Sequence, residues 1–171
     1  PNSSIASLPR CGTPTPAPDA SIARLIAKGY KVAIGEQTED PAAAKGLVKR
    51  DIIRVVTPGT VIDESCLSAE RSNYLCGVYL DDTGAGLCAC DISTGKAQAT
   101  VFTGPDRVRA LLNELGRFSP AEAVMNETAF FNETLHQTLQ DRFSCHMEKL
   151  SDARFTPEDA VKKVRAQLGQ D

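Results

Sequence analysis

Residues 74–103 read YLCGVYLDDTGAGLCACDISTGKAQATVFT, and this stretch decides the fold of the larger part of the chain. Its apolar runs, 74–80, 86–92 and 96–102, are separated by the tetrapeptide DDTG at 81–84 and the tripeptide STG at 93–95. Asp, Ser, Thr and Gly supply the backbone geometry and local hydrogen bonds of tight turns. Short apolar runs bounded by such residues are typical of strands, so the stretch predicts a three-strand meander.

After the meander, apolar residues at helical spacing alternate with short apolar runs. Helices are predicted from Pro105, over 128–141 and from Pro157, and strands over 121–125 and 143–147. The apolar faces of these three helices comprise, in order, Val108, Leu111, Leu112 and Leu115; Phe131, Leu135 and Leu139; and Ala160, Val161, Val164 and Leu168. The order β-β-β-α-β-α-β-α over 74–171 is that of the ribonuclease H-like fold, which we predict for this part.

The N-terminal part predicts a smaller α/β unit. Residues 1–18 are rich in Pro, Ser and Thr and predict irregular chain. A short helix is expected next, capped by Asp19 and ended by Gly29. Strands are predicted at 30–34 and 52–56, with a polar loop at 37–47. We therefore divide the chain into a partial mixed α/β domain at 1–62, a linker at 63–73 and a second domain at 74–171.

Composition excludes several classes of protein. Of the 171 residues, 42% are hydrophobic, and no run is long and apolar enough to span a membrane. The net charge of −3 argues against a self-sufficient nucleic-acid module, which is usually strongly basic. The six cysteines include no C-x-x-C pair, which predicts reduced thiols in a cytoplasmic protein. Because the chain begins at Pro1 without an initiator Met, we expect it to be part of a longer protein.

Carboxylates of the predicted meander raise the possibility of a metal-dependent nuclease. Ribonuclease H-like nucleases hold two metal ions with carboxylates on this kind of sheet, and Asp81, Asp82 and Asp91 are the candidates, with Glu114 and Glu127 as further ligands. The alternative is that the first two residues only form a turn, which their DDTG context favours. The sequence has no phosphate-binding loop, H-E-x-x-H or G-x-S-x-G motif.

A basic cluster lies before and within the second predicted strand. It consists of Lys45, Lys49, Arg50 and Arg54. Basic side chains bind nucleic-acid phosphates and release counterions when they do so. The same cluster is also compatible with a solvated surface, so charge alone leaves both interpretations open.

Several motifs, in order, resemble the MutS family of bacterial DNA mismatch-recognition proteins. They are GYKVAIGEQTEDP at 29–41, KGLVKR at 45–50, RVVTPGT at 54–60, DES at 63–65, NYL at 73–75, DISTG at 91–95 and SPAE at 119–122. The first three resemble mismatch-binding domain I of the family, and NYL and DISTG resemble the start of its connector domain II. The chain departs from the family at Gly35, where Cys or Ala is usual.

The resemblance implies a function for the longer protein. MutS proteins are homodimers that bind mispaired or looped double-stranded DNA, exchange ADP for ATP with Mg²⁺, and recruit MutL. The mismatch-reading Phe-x-Glu motif and the ATPase domain are expected outside this chain, which would then be a non-catalytic connector without a cofactor of its own. Arg54 matches a family position near DNA, and Lys45, Lys49 and Arg50 belong to the same basic segment.

Overall fold

The computed structural model describes residues 18–38, 50–62 and 73–169. In chain order, the helices and strands are α1 (Pro18–Ala27), β1 (Val32–Gln37), β2 (Arg50–Val56), β3 (Tyr74–Leu80), β4 (Gly84–Asp91), β5 (Lys96–Thr103), α2 (Arg107–Phe118), β6 (Glu122–Met125), α3 (Glu127–Phe130), α4 (Glu133–Gln137), β7 (His146–Lys149) and α5 (Pro157–Leu168). The predicted mixed α/β class is confirmed. We call the described residues up to 62 the N-terminal unit and residues 73–169 the C-terminal unit.

The N-terminal unit consists of α1 and the antiparallel pair β1–β2. The predicted cap at Asp19 is wrong, because the helix already begins at Pro18, whose fixed φ suits a first helical position. The predicted stop is confirmed: Gly29 has a φ of +80°, and its N–H donates to the carbonyl of Ile26 at 2.8 Å. Among the residues of this unit that the structure describes, the buried core is small and comprises Ile26, Val56 and Val61.

The C-terminal unit is built on a five-stranded sheet in the order β5-β4-β3-β6-β7. The central strand β3 is antiparallel to β4 and parallel to β6. Its side chains alternate, so that Cys76, Val78 and Leu80 are buried on one face. Helix α2 contributes Leu111 and Leu115, both completely buried, to the same core. The meander forms as predicted, whereas the narrower ribonuclease H-like assignment stays a prediction.

The segment predicted as one helix over 128–141 is divided. Helix α3 ends at Phe130, α4 begins at Glu133, and a π-helical turn follows at Thr138–Arg142. The break arises because Asn132 acts as an N-cap, its side chain accepting from Leu135 N at 3.1 Å. Leu135 is buried as expected, but the break leaves Phe131 67% exposed, so its predicted place on the buried face is wrong.

The start of β7 differs from the prediction, whereas the start of α5 agrees with it. Strand β7 begins at His146 rather than at 143, because Ser144 takes a left-handed φ of 51° and Cys145 N donates to Leu139 O. Helix α5 begins at Pro157 as predicted. Its apolar positions Val161 and Val164 are nevertheless at least half exposed.

The cysteines in the described part are free thiols: Cys76, Cys88, Cys90 and Cys145. Burial raises the pKa of Cys76 and of Cys145 to about 12, so both thiols are protonated at neutral pH. A protonated, buried cysteine packs as a small apolar side chain. These two residues therefore belong to the core of the C-terminal unit. Cys11 and Cys66 lie outside the described residues.

Candidate functional site

The predicted basic cluster is only partly described, since Lys45 and Lys49 lie outside the described residues. Arg50 is exposed at the start of β2, opposite Gln37. Arg54 is half-buried opposite Ile34, and its Nη2 atom is buried. The two arginines thus differ in how much of the guanidinium group solvent can reach.

A β-bulge determines which way each arginine projects. The register pairs Ile34 with Arg54 and Gly35 with Ile52, so Ile53 has no partner on β1. Residues directly opposite each other in an antiparallel pair share a face of the sheet. Arg54 therefore lies on the face of Ile34, which packs against the core of this unit. Arg50, opposite Gln37, lies on the other face, which is exposed.

Beyond β2 the chain forms a tight turn, Thr57-Pro58-Gly59-Thr60, which we call the 57–60 turn. Thr60 N–H donates to the carbonyl of Thr57 at 3.1 Å. In return, Thr57 N–H donates to the Thr60 hydroxyl at 2.8 Å. The two hydroxyls are 2.9 Å apart and share a hydrogen bond. These reciprocal hydrogen bonds stabilise the turn from within, in addition to its contacts with other residues.

The 57–60 turn packs against Glu122, the first residue of β6. The Thr57 hydroxyl donates to Glu122 Oε2, and Gly59 N–H donates to the same oxygen at 2.9 Å. Glu122 is only 3% exposed. A buried carboxylate is costly unless it is hydrogen-bonded, so the turn provides donors that this side chain requires. A charged residue of the C-terminal sheet is thereby bound by the N-terminal unit.

Only glycine fits at position 59. A Cβ built there would lie 2.8 Å from the Cβ of Glu122 and 3.1 Å from the Cβ of Leu75. Both are atoms close to the backbone, so they cannot move aside cheaply. The absence of a side chain at Gly59 is what lets its N–H reach the carboxylate.

Two further contacts join the units. Asn73 Nδ2 donates to the carbonyl of Pro58 at 2.8 Å. Lys31 Nζ forms an ion pair with Glu148 Oε2 on β7 at 2.5 Å. The side chains of that pair are 37% and 39% exposed, and exposed ion pairs contribute little, about 0–1 kcal/mol. The buried contact at Glu122 is therefore the stronger candidate for holding the units together.

The carboxylates considered for a nuclease do not form a metal site. Asp81 accepts hydrogen bonds from Thr83 and from Gly84 N–H, and these bonds lower its pKa to about 2. Asp91 lies at the opposite end of β4 and accepts from Ser93 instead. Both residues are thus engaged in separate turns, at the two ends of one hairpin.

The other nuclease candidates do not complete such a site either. Glu114 is paired with Arg117, and Glu127 with Lys149; Asp82 lies beside Asp81 in the turn. Within residues 18–38, 50–62 and 73–169, no group of three or more His, Cys, Asp or Glu side chains is placed to hold a metal ion. The nuclease alternative is therefore not supported. None of the helices in these ranges combines the length and the apolar character that a membrane span requires.

The sequence interpretation missed Glu122 as a site residue. A signal was available, because a charged residue occurs in the short run 121–125 that is otherwise apolar and predicts a buried strand. A buried acidic residue needs a partner. Its partner could not be identified from sequence, since Thr57 lies 65 positions away.

The fold and its contacts define a two-unit α/β protein in which a buried carboxylate joins the units. Family models of MutS domain I and MutS domain II match residues 2–65 and 73–171. The chain belongs to the MutS family.

Curated relatives are called DNA mismatch repair protein MutS. The one from Acetivibrio thermocellus is 45% identical over 157 residues, which is 92% of this chain and 18% of the relative. The relative from Ruminiclostridium cellulolyticum is 43% identical over 86% of the chain and 17% of its own length. That from Symbiobacterium thermophilum is 49% identical over 69% of the chain and 14% of its own length. The chain thus spans less than a fifth of the length of these relatives.

Proposed function

We propose that this chain is the part of a DNA mismatch repair protein that joins a DNA-reading domain to the remainder of the molecule. The whole protein would bind mispaired or looped double-stranded DNA in the cytoplasm and initiate ATP-dependent repair. The observation that carries this proposal is the consecutive match of MutS domains I and II over nearly the entire chain.

The chain itself acts as a connector without catalysis. In support, the candidate carboxylates of the described residues are engaged in turns and ion pairs. The ATP or ADP site with its Mg²⁺ would lie in other domains of the parent protein, as would the contacts that form the homodimer. MutL is the proposed protein partner of the assembled dimer.

DNA contacts of this chain are assigned to Lys45, Lys49, Arg50 and Arg54. Arg50 is the described member best placed for a phosphate, because it is exposed and terminal on β2. Arg54 is assigned a DNA contact as well, although it lies on the covered face of the β1–β2 pair, where part of its guanidinium group is buried. With a net charge of −3, the isolated chain would bind DNA weakly, and the binding would weaken further with salt.

Binding of the full-length parent protein to two duplexes tests this function. One duplex carries a single mispair and the other is fully paired, and both are measured at one fixed salt concentration because salt changes affinity strongly. We expect clear preference for the mispaired duplex. Equal affinity for both duplexes would overturn the proposal.

A further inference from the structure

We infer that the 57–60 turn and Glu122 form a latch that holds the N-terminal unit in one orientation on the C-terminal unit. Two hydrogen bonds that meet at one oxygen of the buried Glu122 form this latch, and they require no bound DNA or partner.

The hydrogen bonds of the latch are all directed at one carboxylate. Glu122 Oε2 receives the Thr57 hydroxyl and the Gly59 N–H together. Hydrogen bonds to an ionised group are stronger than those between neutral groups. Thr57 has a single hydroxyl proton; donating it to Glu122 leaves Thr60 to supply the proton of the bond between the hydroxyls. The Thr60 hydroxyl therefore donates to the Thr57 hydroxyl, which in turn donates to the Glu122 carboxylate.

The position of the latch connects it to the centre of the sheet. Glu122 pairs with Leu75 on β3 and with His146 on β7. On the N-terminal side, the turn continues directly from β2, whose last residue, Val56, is 1% exposed. A displacement of β2 therefore reaches β6 through the short contacts between the 57–60 turn and the buried side chain of Glu122.

Two alternatives to this latch are weaker. The Lys31–Glu148 pair is about two-fifths exposed and so is screened by solvent. The Asn73–Pro58 bond involves a residue adjacent in sequence to β3 and a single neutral donor. Neither contact buries a charge, whereas release of the turn would leave Glu122 without two of its donors.

Nuclear magnetic resonance of the complete 171-residue chain tests the latch. Residual dipolar couplings of the β1–β2 pair and of the five-stranded sheet are fitted together, and hydrogen exchange is measured at Gly59 N–H. In the unmodified chain we expect one alignment tensor for both units and a protected Gly59 amide.

The informative variants are Thr57→Val and Glu122→Ala, which remove the donor and the acceptor. We expect two alignment tensors and at least a tenfold loss of protection at Gly59, with protection of β3 and β4 retained. Thr57→Ser keeps the hydroxyl and should behave like the unmodified chain. If Glu122→Ala does not fold, the alignment tensors and the Gly59 protection of Thr57→Val alone decide whether the latch exists.

Glu148→Ala is the matched control, since it removes another glutamate that contacts the N-terminal unit. It should leave the single tensor and the Gly59 protection intact. The latch is overturned if Thr57→Val keeps one tensor and full protection, or if Glu148→Ala separates the units as strongly as the latch variants. Because no DNA is present, this result is independent of the mismatch-binding experiment.

Discussion

Asn126 and Leu80 exchange two hydrogen bonds, and each is 3.0 Å long. Leu80 N–H donates to Asn126 Oδ1, and Asn126 Nδ2 donates to the Leu80 carbonyl. Asn126 is 2% exposed and also caps α3 by accepting from Ala129 N–H. One side chain thus completes the backbone hydrogen bonding at the end of the central strand and starts the next helix.

Replacing Asn126 with Leu should destabilise the C-terminal unit substantially. The substitution leaves a buried N–H and a buried carbonyl of Leu80 without partners, at about 1–3 kcal/mol per group. Urea unfolding at pH 7 measures the change in free energy of unfolding. Asn132→Ala, which removes a less buried cap, should cost only about 1 kcal/mol. Equal losses for the two variants would contradict the role of Asn126.

Gly59→Ala should destabilise the contact between the units. Its Cβ would come within 2.8 Å of the Glu122 Cβ, and overpacking of this kind costs about 1–3 kcal/mol. Thermal unfolding followed by circular dichroism provides the measurement. Gly86→Ala is the control, because a Cβ there would lie at an ordinary 3.7 Å from the Tyr79 Cβ. A normal melting temperature for Gly59→Ala would show that the turn has room to shift.

Asp81 should make stability depend on pH in the acid range. Its hydrogen bonds, that from the Thr83 hydroxyl first among them, lower its pKa from about 3.8 to about 2. The folded state therefore binds this proton less readily than the unfolded state, so the contribution of Asp81 is present above about pH 4 and is lost as the pH falls towards 2. Between pH 7 and pH 2, the denaturation midpoint of Asp81→Ala should fall less than that of the unmodified chain. The neighbouring Asp82→Ala should retain the full dependence.

Arg50→Ala in the full-length parent should weaken binding to every duplex by a similar factor. Loss of one phosphate contact should make the slope of log affinity against log salt less negative by about one. Fluorescence anisotropy at several salt concentrations measures both quantities. Arg109→Ala is the control, since Arg109 is an exposed cation on α2 that is paired with Asp106. An unchanged salt slope for Arg50→Ala would remove Arg50 from the interface.

The strands of the meander could be predicted because their information is local. Strand β3 has the predicted bounds, 74–80, since its apolar run and the turn residues that follow it lie within a few positions of each other. The break after Phe130 was missed because the apolar spacing of 128–141 continues across it. The helix is nevertheless interrupted there, because the Asn132 side chain accepts a hydrogen bond from Leu135 N–H and starts a new helix. Local polar chemistry there overrides periodicity.

The candidate site was harder to predict for a different reason. Arg50 and Arg54 are four positions apart, which in a regular strand would place them on one face. The unpartnered Ile53 adds one residue and reverses that parity. Glu122 and Gly59, in turn, are brought together over 63 positions by tertiary packing. Neither a bulge nor a distant contact has a signal in local patterning.

The sequence separation between Thr57 and Glu122 also determines when, during synthesis on the ribosome, the hydrogen bond between them can form. Glu122 is added 65 residues after Thr57, which takes roughly 3–13 s at ordinary rates of synthesis. During that interval β2 and its turn exist without their acceptor, and the described contacts that support them are the pairing with β1 and the small core around Val56. The nascent N-terminal unit therefore reaches its final docked state only after the middle of the C-terminal sheet has been translated.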